Sequence, residues 1–232
     1  MSSIKIITTS DGSHSLFNEE LNETYHSVHG AIQESLHVFI QSGLTYFIEK
    51  FSPKSVSILE IGFGTGLNAL LTIQAAKQSS SLFYYKTLEA FPLEEEVWSK
   101  LNYAEALRLK EHFDLLHRVL WDEQHNLLPN FQFQKQYIKL QDAGLNPTSV
   151  DIIFFDAFAP NKQPELWGID MLKKVTDALR VNGVFVTYCA KGQLKRDLKS
   201  LGLTVETIPG PPGKKEMVRA LKLFSEHQVN NP

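Results

Sequence analysis

Hydrophobic positions along this chain come in short runs at two spacings. Val56 to Ile61 is a compact apolar run that ends directly in Gly-x-Gly-x-Gly, the pattern of a buried strand entering a turn. From Leu67 to Ala76 the apolar residues take helical spacing, Leu82 to Glu89 predicts a second strand, and Glu94 to Leu109 a second helix. Phe131 to Leu140 alternates at period two, as a half-buried strand does. Val150 to Asp156 is apolar almost throughout, as expected of a strand covered on both faces. Asp170 to Leu179 predicts a helix, Gly183 to Cys189 a strand behind an Asn-Gly turn, and Gln193 to Leu201 a short basic helix. Two last strands, Thr204 to Ile208 and Glu216 to Phe224, flank the Pro-Gly stretch Pro209 to Gly213.

Strands alternating with helices predict an α/β fold with a doubly wound, mostly parallel sheet of seven strands. The last two strands have no helix between them and should form an antiparallel edge hairpin. Residues 1–50 read as an N-terminal extension packed on a core of residues 51–232, a single domain overall. Ile40, Leu44, Tyr46 and Phe47 place an amphipathic helix in that extension.

Composition narrows the class. Of 232 residues, 43% are hydrophobic and 21% charged, which excludes a disordered or fibrous chain. The lone Cys189 can form no internal disulfide and reads as a buried apolar residue, so a reducing, cytoplasmic setting is expected. No signal-peptide pattern and no run long enough to span a membrane is visible. The net charge is −3, but unevenly spread: residues 1–50 are acidic, and residues 190–232 carry an excess of bases that includes Lys214 and Lys215. Such a local basic face suits either a polyanion or plain solvation.

The segment Glu60-Ile61-Gly62-Phe63-Gly64-Thr65-Gly66-Leu67-Asn68 lies where an open α/β sheet binds its ligand. Its third glycine comes one residue earlier than in the dinucleotide fingerprint. The arrangement resembles the S-adenosylmethionine (SAM) loop of class I methyltransferases, which makes Glu60, Gly62, Phe63, Gly64, Thr65, Gly66 and Asn68 candidate cofactor residues. Glu89, at the end of the second strand, is placed to accept hydrogen bonds from ribose hydroxyls. Asp142, after the third strand, is a candidate for the adenine amino group.

Asp156-Ala157-Phe158-Ala159-Pro160 follows the most apolar strand, so the Asp156 carboxylate should emerge beside the glycine loop. Together, Glu60 to Asn68, Leu88 to Leu93, Asp156 to Pro160 and Pro164 to Trp167 resemble the methyltransferase domain of the MnmC family. So do Gly213 to Met217 and the N-terminal Tyr25-His26-Ser27 with Gly30-Ala31. The resemblance implies a Rossmann-like class I methyltransferase fold. It also implies transfer of a methyl group from SAM to the aminomethyl nitrogen of a wobble uridine in tRNA, giving 5-methylaminomethyl-2-thiouridine. Asp156 would be catalytic; Tyr25, His26, Ser27, Phe158, Pro160, Trp167, Lys214 and Lys215 would meet the substrate. Some family members add a flavin-dependent oxidoreductase domain. No flavin is expected in this chain, so a separate enzyme would supply the free amine, and a monomer or weak oligomer is expected.

Other readings stay open on the residues alone. Trp167 is either core or a wall of the substrate pocket, and Lys214-Lys215 either a hairpin turn or a phosphate contact. His14, His26, His29 and His37 crowd the N-terminal segment without cysteines or a compact carboxylate set, so no metal site is expected. The rival functions are a small-amine methyltransferase, an aminopropyltransferase, or a silent SAM-fold subunit that binds tRNA.

Overall fold

The computed structural model describes residues 4–224; Glu226, one of the acids of the C-terminal segment, lies outside them. The described chain opens with an antiparallel sheet of β1 (Ile4–Thr8), β2 (His14–Asn18) and β3 (Glu23–Thr24). Helical chain follows without a break: α1 (Ala31–Ser35), a π-helical stretch (Leu36–Thr45) and α2 (Tyr46–Phe51). The expected helix is therefore present, but ten of its residues are wound wider. The Ser42 hydroxyl donates to the carbonyl of His37 at 2.8 Å. Gly43 lies flat on the sheet, where a Cβ would fall 2.9 Å from Val186 Cγ2. The three N-terminal strands were not predicted: they are short and, Leu16 and Ser15 apart, little buried.

The main elements then follow in order: β4 (Ser55–Ile61), α3 (Leu67–Ala76), β5 (Leu82–Glu89), α4 (Glu95–Trp98), α5 (Tyr103–Ala106), α6 (Lys110–Arg118), β6 (Gln124–Leu128), β7 (Phe131–Tyr137) and β8 (Val150–Phe155). After a 3-10 turn (Pro164–Leu166) come α7 (Ile169–Ala178), β9 (Leu179–Thr187), α8 (Gly192–Ser200), β10 (Thr204–Pro209) and β11 (Glu216–Leu221). Eight strands, not seven, form the main sheet, in the order β10-β11-β9-β8-β4-β5-β7-β6. The extra strand, β6, is an edge strand antiparallel to β7 that begins with three polar residues and buries only Leu127, too little for a sequence pattern to reveal. The single helix expected over 94–109 is two short ones. Asn102 breaks it by spending its side chain on the extension, accepting from His14 N–H at 2.8 Å and donating to Gly12 O at 2.9 Å. Arg108, at φ +55, closes the second. Asn182-Gly183 is an irregularity inside β9, not a turn before it.

Consecutive residues of β8 show how the sheet is filled. Phe154 joins Phe39, Leu70 and Tyr85 on one face; Phe155 joins Leu172, Phe185 and Leu198 on the other. Both faces are covered, as a parallel sheet requires. β4 runs parallel to β5 on one side and β8 on the other, so the winding reverses at the β4–β8 pair. A crevice opens beyond the carboxyl ends of those two strands, the place where such sheets take ligands. Among the described residues no helix is long and apolar enough to cross a membrane.

Candidate active site

That crevice is a cleft of about 1570 Å³, larger than the roughly 300–1,000 Å³ of a single small-molecule pocket. It has room for two ligands side by side. The glycine loop forms its floor. Gly62, at φ +94, carries the chain directly under the end of β8: a Cβ there would sit 2.7 Å from the carbonyl oxygen of Asp156. Gly62 N–H donates to Leu88 O at 3.0 Å and Asp156 N–H to Ile61 O at 3.0 Å, so three strand ends are tied at one point.

Glu89 braces the loop from the end of β5. Its two oxygens accept the N–H groups of Gly64 at 2.9 Å and Phe91 at 2.8 Å. Asn68, in the first turn of α3, bridges two carboxylates, donating to Glu60 Oε1 at 3.1 Å and Asp156 Oδ2 at 2.8 Å. Its own Oδ1 is buried and has no partner among the described residues, a free acceptor for an ammonium group such as the amino-acid end of SAM. A glycine cradle, a carboxylate at the second strand end and this orphaned acceptor are a donor and acceptor set that fits SAM.

Burial sets the charges. Glu60 is fully buried behind the loop, and desolvation lifts its carboxyl to about 8, so it is held neutral. Asp156 is lifted to about 7, by burial first and then by the nearby Glu34 charge. His26 is buried beside Ser15, with Nδ1 3.2 Å from its hydroxyl, and is pushed down to about 4, so it stays neutral. Tyr25 meets Phe158 edge to face at 5.0 Å, and Tyr188 donates its hydroxyl to Ala157 O at 2.8 Å. Eight carboxylate side chains line the cleft against three lysines. Of those lysines, Lys162 is tied to the carbonyls of Leu21 and Asn22, and Lys214 to Glu34. The cleft therefore favours cations.

The cleft brings together most of the residues singled out in the sequence: Gly62, Phe63, Gly64, Thr65, Asn68 and Glu89 of the cofactor set. With them come Asp156, Tyr25, His26, Ser27, Phe158 and Lys214. Others stay outside it. Glu60 lies behind the loop, Asp142 is exposed while its neighbour Gln141 lines the cleft, and Gly66, Pro160 and Lys215 do not reach it. Trp167 is core: its ring packs on Phe155 at 4.9 Å and its indole N–H donates to Phe158 O at 2.7 Å, propping the wall from behind. Lys195 pairs with Glu216 and Arg219 with Glu206, acids of the same C-terminal segment, so these pairs leave its net positive charge unchanged. Among the described residues no group of three or more His, Cys, Asp or Glu side chains could hold a metal. Among the lining residues that the sequence reading did not single out are Glu34 and Tyr188. The signal for Glu34 was there, an acid between the apolar positions Ala31 and Val38 that share its face of the helix.

Residues 100–223 match the family model described as S-adenosyl-L-methionine-dependent methyltransferase, just over half of the chain. The chain belongs to that family. SAM is its methyl donor. Among relatives, the "tRNA 5-methylaminomethyl-2-thiouridine biosynthesis bifunctional protein MnmC" of Campylobacter hominis is 27% identical over 213 residues, covering 88% of this methyltransferase and 31% of the relative. The protein of the same name from Acinetobacter baylyi is 29% identical over 231 residues, covering 91% and 36%. This methyltransferase thus spans about a third of the length of these relatives. The crystal structure of MNMC2 from Aquifex aeolicus superposes with a TM-score of 0.78 at 24% identity, over 99% of this chain and 75% of that one. Human methyltransferase-like protein 13, solved with SAH, gives 0.51 at 15% identity. Both confirm the fold, with its class I sheet.

Proposed function

We propose that this methyltransferase converts the 5-aminomethyl group of a 2-thiouridine at the wobble position of tRNA into 5-methylaminomethyl. The observation that carries the reading is the Asp156 carboxylate beside the glycine loop, in an acidic cleft walled by Tyr25, Phe158 and Tyr188. An aromatic-walled pocket accepts a splayed-out base, and a carboxylate excess accepts a cationic amine. The names of the bifunctional relatives supply the nucleoside and the tRNA.

Bound SAM supplies an electrophilic methyl group on a sulfonium. The chain's own residues do the rest. Gly62, Gly64, Thr65, Asn68 and Glu89 would hold the donor, and Gln141 lines the cleft where Asp142 does not. An alkyl ammonium has a pKa of about 10.4, so the acceptor arrives protonated and without a lone pair. Asp156, lifted towards neutrality, is matched to take that proton when ionised and to hold the remaining N–H bonds so that the nitrogen's lone pair is fixed in direction. The nitrogen gains the methyl as the carbon–sulfur bond breaks, and the product leaves as a secondary ammonium. Incubation with SAM and tRNA from cells that accumulate the aminomethyl nucleoside, followed by nucleoside mass spectrometry, should show the gain of one methyl. Methylation of free polyamines with none on tRNA would overturn the reading.

A further inference from the structure

An ammonium already sits in the acceptor region, and it belongs to the protein. Lys214 Nζ lies 2.6 Å from Glu34 Oε1 and 3.8 Å above the ring of Tyr188. A carboxylate on one side and an aromatic face on the other are a complete recognition set for an alkyl ammonium. Glu34 cannot move: its side chain is 7% exposed, and its second oxygen accepts the Ser27 N–H at 2.6 Å. Tyr188 is equally fixed through its bond to Ala157 O, one residue past Asp156. Lys214 is more exposed, at 32%, and rides on the loop between β10 and β11. That loop rests on the N-terminal segment: Gly213 lies so close to the His29 ring that a Cβ there would clash with it, and at the end of β10 the Pro209 carbonyl is 2.9 Å from His37 Nε2.

Emptying the seat would leave Glu34 buried without a counter-ion, which is strongly unfavourable. Lys214 can therefore leave only in exchange for another cation. We propose that Glu34 and Tyr188 form the seat of the acceptor ammonium, that Lys214 fills it when no acceptor is bound, and that acceptor binding swaps one ammonium for the other, freeing Lys214 for a phosphate of the incoming polynucleotide. This rests on the reading of the acceptor as an amine carried by tRNA, and adds a source of selectivity to it. A tethered ammonium competes at an effective concentration on the order of millimolar or more. A free amine must beat that tether with nothing to offer Lys214 in return, whereas an amine on a polyanion brings the phosphate that receives it.

The test compares the wild type with Lys214→Met, Glu34→Gln and the double variant, each checked for folding and for SAM binding by calorimetry. Methyl transfer from labelled SAM to undermodified tRNA is measured against n-propylamine as competitor. In Lys214→Met the inhibition constant of n-propylamine should fall at least about tenfold, because the seat is empty. The KM for tRNA should rise more than kcat falls, and the slope of log KM against log salt should shrink by about one. Glu34→Gln added to Lys214→Met should abolish the sensitivity to n-propylamine. An inhibition constant within twofold of wild type in Lys214→Met, or sensitivity that survives in the double variant, overturns the exchange alone. A wild-type enzyme that leaves tRNA unmethylated overturns the functional reading and takes the exchange with it.

Discussion

Asp156 should impose its own titration on the reaction. Its carboxyl is lifted from 3.8 to about 7 by burial, with the Glu34 charge adding to the effect and the Asn68 hydrogen bond and Lys214 charge opposing it. A protonated carboxyl can neither accept the amine's proton nor steady the cation that forms. Between pH 6 and 8 the ionised fraction climbs from about one-tenth to about nine-tenths, so kcat/KM should rise about tenfold, following a free-enzyme group near 7. Asp156→Asn should lose that limb and fall on the order of 10²-fold in kcat, the low end of what a positioned acid–base group contributes, with SAM binding retained. The same shift has the opposite sign for stability. In the unfolded chain this group ionises near 3.8, so the native state is penalised progressively as pH rises from there to about 7, and the penalty is complete above it. About three pK units set an upper bound of about 4 kcal/mol. The Asn variant should therefore melt higher than the wild type, by several degrees at pH 8 and by less at pH 5. Steady-state kinetics on undermodified tRNA across pH 5.5–9, paired with melting curves, read both effects. A flat wild-type profile, or the same limb persisting in the Asn variant, would refute the assignment.

Three further outcomes follow from the packing. Glu89→Ala removes the acceptor of two backbone N–H groups as well as the candidate ribose partner; SAM affinity should weaken by roughly 1.5–3 kcal/mol, about 10- to 150-fold, by calorimetry. Gly62→Ala drives a Cβ to 2.7 Å from the carbonyl of Asp156 at a φ of +94, so SAM binding should be lost although circular dichroism still reports the sheet. Gly43→Ala presses a methyl into Val186 and Phe154 under the π-helical stretch and should cost about 1–3 kcal/mol by denaturant melts, leaving the KM for SAM in place.

What the sequence made legible follows from where side chains are buried. β5 and α3 come out with the bounds their patterns predict, and β4 and β8 within a residue, because each carries apolar residues on the faces it hides. The glycine loop and Asp156 were readable for the same reason: they punctuate those runs. Elements that hide little left no pattern. β6 offers Gln124, His125 and Asn126 to solvent, and the breaks around Asn102 come from bonds to residues about 90 positions away. The pairing of Glu34, though not its burial, belongs to that second kind. Its partner Lys214 lies 180 residues along the chain, and only the folded sheet edge brings the two together.

The strand order also fixes a timetable. β4, β5, β7 and β8, whose ends make the crevice, all lie within residues 55–155 and emerge before β9, β10 and β11. Among the described residues β10 has only β11 as its neighbour in the sheet, and β11 is the last strand of the sheet in chain order. β10 therefore waits outside the sheet until the strand after it slots in against β9. Glu34 waits for Lys214 over the same interval. A ribosome reaches that point from the N-terminus at about 5–20 residues per second, so a nascent chain has several seconds in which its donor floor is complete and its acceptor seat is not. A chain stopped before Glu216 would stay in that condition, with a floor for the cofactor and no strand to carry the lysine across.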